Sequence, residues 1–146
     1  MYENIGSYGL IGDMHSVAIV SADGSIDYCS MPHIDSPTVF AALLDDRRGG
    51  RFSITPDSEF ESTQEYIENT NILRIGFETR SGRAELVDFI PVFKNNDENG
   101  KHHSIKRLLR ITSGSVDFKI LFDPRPDYAR TEPEINFEGD KILVES

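Results

Sequence analysis

The sequence predicts an all-β domain, an antiparallel β-sandwich with one short helix near residues 37–44. Three observations lead there. Apolar residues recur with a period near two in short runs, turn residues break those runs about every ten positions, and only one stretch has helical spacing. The chain has 146 residues, 38% hydrophobic and 27% charged, which suits a single domain with a real core and excludes disorder, collagen-like repeats and a membrane span.

The first strand pair is Ser16–Ser21 and Ser25–Ser30, reversed by Ala22-Asp23-Gly24. Its first run, Ser-Val-Ala-Ile-Val-Ser, is almost continuously apolar, as expected of a strand covered on both faces. The helix is expected next. Ser36 suits an N-cap, Pro37 suits the first helical position, and Phe40, Leu43 and Leu44 fall at helical spacing before Asp45–Gly50 ends the element. A second hairpin joins Ile72–Phe77, with Leu73, Ile75 and Phe77 on one face, to Arg83–Pro91 through Arg80-Ser81-Gly82. The polar stretch Lys94–His103 reads as an exposed excursion between strands. A third hairpin is expected from Ser104–Thr112, turning at Ser113-Gly114-Ser115 into a strand that points Val116, Phe118, Ile120 and Phe122 inward. A fourth pairs Glu134–Phe137 with Ile142–Ser146, and because its second strand stops as the chain stops, a truncated piece or a shortened gene product is expected.

Charge and motifs narrow the function. Lys plus Arg at 15 against Asp plus Glu at 25 gives 15 − 25 = −10, a field that repels phosphate backbones and anionic lipid, so neither nucleic acid nor a membrane is expected as partner. The single Cys29 cannot form an intramolecular disulfide, and Met1–Ser7 carries no signal-peptide pattern, so a cytoplasmic location is expected. Gly6, Gly9 and Gly12 fit neither a P-loop nor a dinucleotide fingerprint, and no Gly-x-Ser-x-Gly elbow occurs; no cofactor is expected. Nor is a metal, since no Cys-x-x-Cys or His-Glu-x-x-His spacing is present, His15 and His33 stand alone, and His102 and His103 are adjacent. Asp13, Asp27 and Asp35 stand out among the carboxylates because they sit between turn residues and apolar anchors. Turn, cap or inter-strand hydrogen bonding is the ordinary role for each. Trp is absent, which weakens a sugar-stacking surface built on Tyr2, Tyr8, Tyr28, Tyr66 and Tyr128.

Several separate motifs then follow a known order. Tyr8–Val20 (YGLIGDMHSVAIV), Asp23–Tyr28 (DGSIDY) and Pro32–Asp45 (PHIDSPTVFAALLD) together resemble the amino-terminal domain of glycoside hydrolase family 15, the glucoamylase and trehalase-like enzymes. Phe122–Arg130 (FDPRPDYAR) is similar to a further family segment, usually Phe-Asp-Tyr-Gly-Arg. The resemblance implies a single domain over 1–146, part of a super-sandwich, packed on a following α/α-barrel in which two glutamates hydrolyse α-glucosidic bonds with inversion. No catalytic residue maps onto this chain. Tyr28 stands where the family usually has Trp, and His33-Ile34 where it usually has Arg-Phe. The expected substrate-side or interdomain positions are Asp13, His15, Asp27, Tyr28, His33 and Asp35. The implied partners are the downstream barrel and, through it, an α-glucoside, with self-association of the fragment through uncovered apolar surface. The alternatives are a stand-alone carbohydrate-binding module, a small hydrolase using a pair among Asp13, Asp27 and Asp35, and a structural sandwich unconnected with sugars.

Overall fold

The computed structural model describes residues 4–92 and 103–145, and among them the chain is almost entirely antiparallel β-structure. A single 3-10 turn, Ile5–Ser7, leads into strands β1 (Tyr8–Gly12), β2 (Val17–Ser21), β3 (Ser25–Ser30), β4 (Thr38–Phe40), β5 (Arg51–Pro56) and β6 (Phe60–Tyr66). There follow β7 (Leu73–Thr79), β8 (Gly82–Phe89), β9 (Lys106–Gly114), β10 (Phe118–Asp123), β11 (Glu134–Glu138) and β12 (Lys141–Glu145). One sheet has the order β1-β2-β3-β5-β10, with β4 also paired to β3; the other has the order β6-β7-β8-β9; β11 and β12 form a separate hairpin.

The two larger sheets share one core. Ile11, Ala18, Val20, Ile26, Cys29, Phe40 and Ile54 of the first pack with Leu73, Ile75, Phe77, Leu86 and Ile90 of the second chain half. The alternation in β7 puts Leu73, Ile75 and Phe77 inside as expected, and β2, paired on either side with β1 and β3, has residues of both faces buried. Phe77 links the layers: it meets Phe60 edge-on at 5.6 Å between ring centres and Phe118 at 5.8 Å. The β2–β3 turn needs Gly24, whose φ of 89° lies in the left-handed region and whose Cα faces the other sheet. A Cβ there would stand 2.4 Å from the Ile54 carbonyl oxygen and 3.0 Å from Phe77 Cζ.

One polar link also crosses between layers. Asp88 and Arg107 are register partners on β8 and β9, and both point inward. Arg107 Nε and Nη2 each donate to an Asp88 carboxylate oxygen at 2.9 Å, while Nη1 donates to Phe52 O and Nη2 to Gly24 O, both at 2.7 Å. The guanidinium also sits 4.8 Å from the centre of the Phe52 ring. Burial pushes the Asp88 carboxyl above its ordinary range, against the opposing pull of Arg107.

Two sequence expectations are corrected. Residues 37–44 contain no helix: Thr38–Phe40 is β4, paired with Cys29 and Ser30, and turns follow. Ser36 Oγ accepts from the His33 N–H upstream and does not cap a helix. The N–H groups of Ala41 and Ala42 donate to Gly49 O and Gly50 O, and Leu44 is exposed. Long-range backbone pairing thus overrides the local apolar spacing. The third hairpin does not form either, since β9 pairs with β8 and β10 pairs with β5, in different sheets. The Ser113-Gly114-Ser115 segment is a crossover, with Gly114 (φ 64°) opposite Gly82 and the Ser115 N–H donating to Ser81 O. Of the expected inward residues of β10, Phe118 and Phe122 pack on the core, whereas Ile120 is exposed.

Candidate functional site

Two polar constellations contain most of the residues singled out in the sequence. The first is buried. A bulge lets Ile19 face Tyr28 and Val20 face Ile26, which leaves Asp27 as the extra residue of β3 and re-aims its side chain. Asp27 accepts from Ser25 Oγ at 2.6 Å and Tyr8 Oη at 3.0 Å, with Arg51 Nε at 3.8 Å, and its backbone carbonyl accepts from the Leu43 N–H. The Tyr8, Arg51 and Leu43 contacts tie β3 to other segments, so Asp27 is an inter-strand anchor; Tyr28 beside it is half-buried.

The second constellation lies where three chain segments meet. Asp13 ends the β1 side of the β1–β2 turn, and Ser16 starts the β2 side. One Asp13 oxygen accepts from the N–H groups of Ser16 at 2.6 Å and His15 at 2.9 Å, which shapes the turn. The other stands 3.1 Å from Nδ1 of His103, just before β9. Ser16 Oγ donates to Pro32 O at 2.8 Å and lies 3.0 Å from the same Nδ1. The rings of His15, His33 and His103 form a triangle with centres 6.1, 6.4 and 6.0 Å apart. His33 comes from the β3–β4 connection, which has a cis Met31–Pro32 peptide and is closed by a Ser36 N–H to His33 O bond. Asp35 is exposed in that connection.

Burial raises the Asp13 pKa, but the Ser16 and His15 N–H groups and His103 together outweigh it and hold the carboxyl below its ordinary value. The sign follows from linkage: a carboxyl whose folded value is depressed stabilises the fold above its unfolded value of about 3.9, and that contribution is lost as pH falls through the folded value. Asp13→Asn is therefore expected to be less stable than the parent near neutrality, with the difference shrinking in acid. Urea unfolding of both proteins between about pH 2 and pH 6 checks this; a gap independent of pH contradicts it.

The structure brings Asp13, His15 and His33 together and adds His103. It places Asp27 in a different, structural network, leaves Tyr28 half-buried next to it in β3, and leaves Asp35 in solvent. His102 and Tyr2 lie outside the described residues. In the sequence His103 is only the end of a polar stretch, and no local motif marks its role. Among the tyrosines, Tyr8 Oη bonds to Asp27, and Tyr66 Oη bonds to both the N–H and the carbonyl of Leu10 at 2.8 Å. Those two serve as clamps between elements. Cys29 is buried, and burial pushes its thiol up to about 12, far from a nucleophile's range. No helix among the described residues is long and apolar enough to cross a membrane.

The two segments that carry the family resemblance are one structural unit. Phe122 packs edge-on against Phe40 (5.9 Å) and Phe52 (5.3 Å), and the Arg125 N–H donates to Val39 O at 2.9 Å. Past Arg125 the backbone makes a left-handed turn, with φ of 53°, 56° and 60° at Asp127, Tyr128 and Ala129. Arg130 braces it by donating to the Asp127 carboxylate at 2.7 Å and lying over the Tyr128 ring.

Fold and sites together define a two-sheet β-domain whose polar groups mostly hold strands and loops in place. A family model described as trehalase-like, N-terminal matches residues 2–146, and the chain belongs to that family. It is 36% identical over 135 residues to trehalase 1 of Sulfolobus acidocaldarius, and 31% identical over 140 residues to the trehalase of Thermoplasma volcanium. Each alignment covers 92% of this chain and 22% of the relative. The trehalase of Mycolicibacterium smegmatis is 26% identical over 149 residues with the same coverage. The chain thus spans about a fifth of the length of these curated relatives. No solved structure gives a significant match.

Proposed function

We propose that this chain is the non-catalytic amino-terminal β-sandwich of a glycoside hydrolase family 15 enzyme of trehalase type, and that a following α/α-barrel breaks an α-glucosidic bond with inversion. The observation that carries this reading is the family match along residues 2–146 at about a fifth of the length of the trehalases aligned. The surface supports it. Leu108, Ile111, Ile120, Leu121, Phe137 and Ile142 are all exposed in the strands from β9 onward, although β-strands of a finished sandwich bury one face. In this reading the exposed Pro32–Pro37 connection, with His33 and Asp35, faces the barrel, and the lone buried Cys29 suits a cytoplasmic setting.

The test compares two proteins. The full-length protein is expected to release glucose from trehalose, and the 146-residue chain to release none. Cleavage by the chain alone, or a full-length protein inert toward every α-glucoside, overturns the proposal. The isolated chain is also expected to self-associate with rising concentration through its uncovered apolar strands. Light scattering checks this, and a monomer at high concentration speaks against the covered-surface argument.

A further inference from the structure

We propose that the β11–β12 hairpin of one chain docks on the open side of the sandwich in a second copy, so that two chains exchange hairpins in a dimer. This rests on the same uncovered strands as the reading above and not on the chemistry of a following barrel. Strand register defines the open side. β9 ends one sheet and β10 ends the other, and only residues 115–117 lie between them, so both unpaired edges meet at one side of the domain. Leu109 and Ile111 are register partners of Leu86 and Ala84, and Ile120 of Ile54, so all three point toward the core face. The partners are 0%, 3% and 6% exposed, whereas Leu109, Ile111 and Ile120 are 38%, 43% and 64% exposed. An inner face left wet beside two free edges is a slot that lacks its apolar filling.

The hairpin supplies what the slot lacks. Ile135 pairs with Val144 and Phe137 with Ile142, which gathers four apolar side chains on one face of the ribbon. Phe137 is 77% exposed, and β11–β12 is a sheet of two strands, too few to be stable in water without something against that face. Charge agrees with shape. In a chain of net charge −10, strands β9 and β10 carry Lys106, Arg107, Arg110 and Lys119 against Asp123, while the hairpin carries Glu134, Glu138, Asp140 and Glu145 against Lys141. Asp88 and Glu85 already hold Arg107 and Arg110, but among the described residues neither Lys106 nor Lys119 nor any hairpin carboxylate forms an ion pair. The hairpin's own root is pinned elsewhere: the Arg125 N–H bonds to Val39 O, the Pro126–Ala129 turn lies against β4, and only residues 131–133 separate Arg130 from β11. Tethered there it leaves its own slot open, and a two-fold pair of chains fills both slots with one contact made twice.

Light scattering on the 146-residue chain tests this, with Ile120→Asp in the slot and Phe137→Asp on the hairpin as variants. The parent is expected to reach twice the mass of one chain as concentration rises, and each variant to dissociate at least about tenfold more readily. Both side chains are exposed, so each variant keeps the parent's circular dichroism, which separates lost docking from lost fold. Mixing the two variants is expected to restore dimer, because the intact hairpin of one meets the intact slot of the other; a dimer made by two identical edges gains nothing from mixing. A monomeric parent, a dimer indifferent to either substitution, or a mixture no more dimeric than its parts overturns the proposal. None of these outcomes bears on glucose release by the full-length protein, which decides the trehalase-type reading separately.

Discussion

Arg107→Ala is expected to lower the unfolding free energy by about 3–5 kcal/mol, a large share of the roughly 5–15 kcal/mol that holds a domain together. The substitution leaves the Asp88 carboxylate, with no solvent exposure, without its cation, and removes one donor each from Phe52 O and Gly24 O, the latter still accepting from the Ile54 N–H. The loss is so large because the surviving groups are buried polar atoms that water cannot reach. Replacing both partners, as Asp88→Leu with Arg107→Met, is expected to be less costly than the single change, since no charge is then stranded. Arg110, three residues along β9, provides the contrast. It pairs with Glu85 but its side chain is 71% exposed, so Arg110→Ala is expected to change stability by less than about 1 kcal/mol. Chemical denaturation of the four proteins decides the matter, and equal effects at Arg107 and Arg110 contradict the assigned role.

Phe77→Ala is expected to cost a similar amount, about 3–5 kcal/mol, for a different reason. Phe77 is 2% exposed and holds edge-to-face contacts with Phe60 in its own sheet and Phe118 in the other. Truncation opens a cavity where the layers meet, and Gly24, whose position faces the Phe77 ring, has no side chain to fill it. The same substitution at Phe137, which is 77% exposed, is expected to leave the stability of the isolated chain nearly unchanged. Thermal or urea unfolding of the two variants measures the difference; a small loss at Phe77 contradicts its place as the link between layers.

The all-β class and three hairpins were legible because each of those pairs joins strands adjacent in sequence through a recognisable turn. The β2–β3, β7–β8 and β11–β12 pairs show both the alternation and the reversing residues. The β9–β10 connection has the same signals and a different outcome. Alternation says which residues share a face, but it carries no information about the strand lying alongside, and Ser113-Gly114-Ser115 serves a crossover as readily as a reversal. The region 37–44 misled for a related reason. Phe40, Leu43 and Leu44 have helical spacing, yet the backbone of Thr38–Phe40 finds partners on β3, and those of Ala41 and Ala42 find partners at Gly49 and Gly50.

Asp27 was legible only as a turn, cap or inter-strand hydrogen-bonding group, and the bulge that re-aims it depends on a register shift that spacing does not reveal. The histidine triangle was not legible. Its members lie at positions 15, 33 and 103, so no local motif marks them, and only the meeting of three connections creates the cluster.

The crossover from β9 to β10 also constrains how the chain is made. Strand β5 needs β10 along one edge, and the whole of β6–β9 is synthesised between them. During translation, the early sheet therefore leaves the ribosome with β5 lacking that neighbour, and the second sheet is complete before the first. Such a delay leaves a template for pairing with another nascent chain, so slowing elongation before Phe118 is expected to favour aggregation, and a holdase chaperone to suppress it.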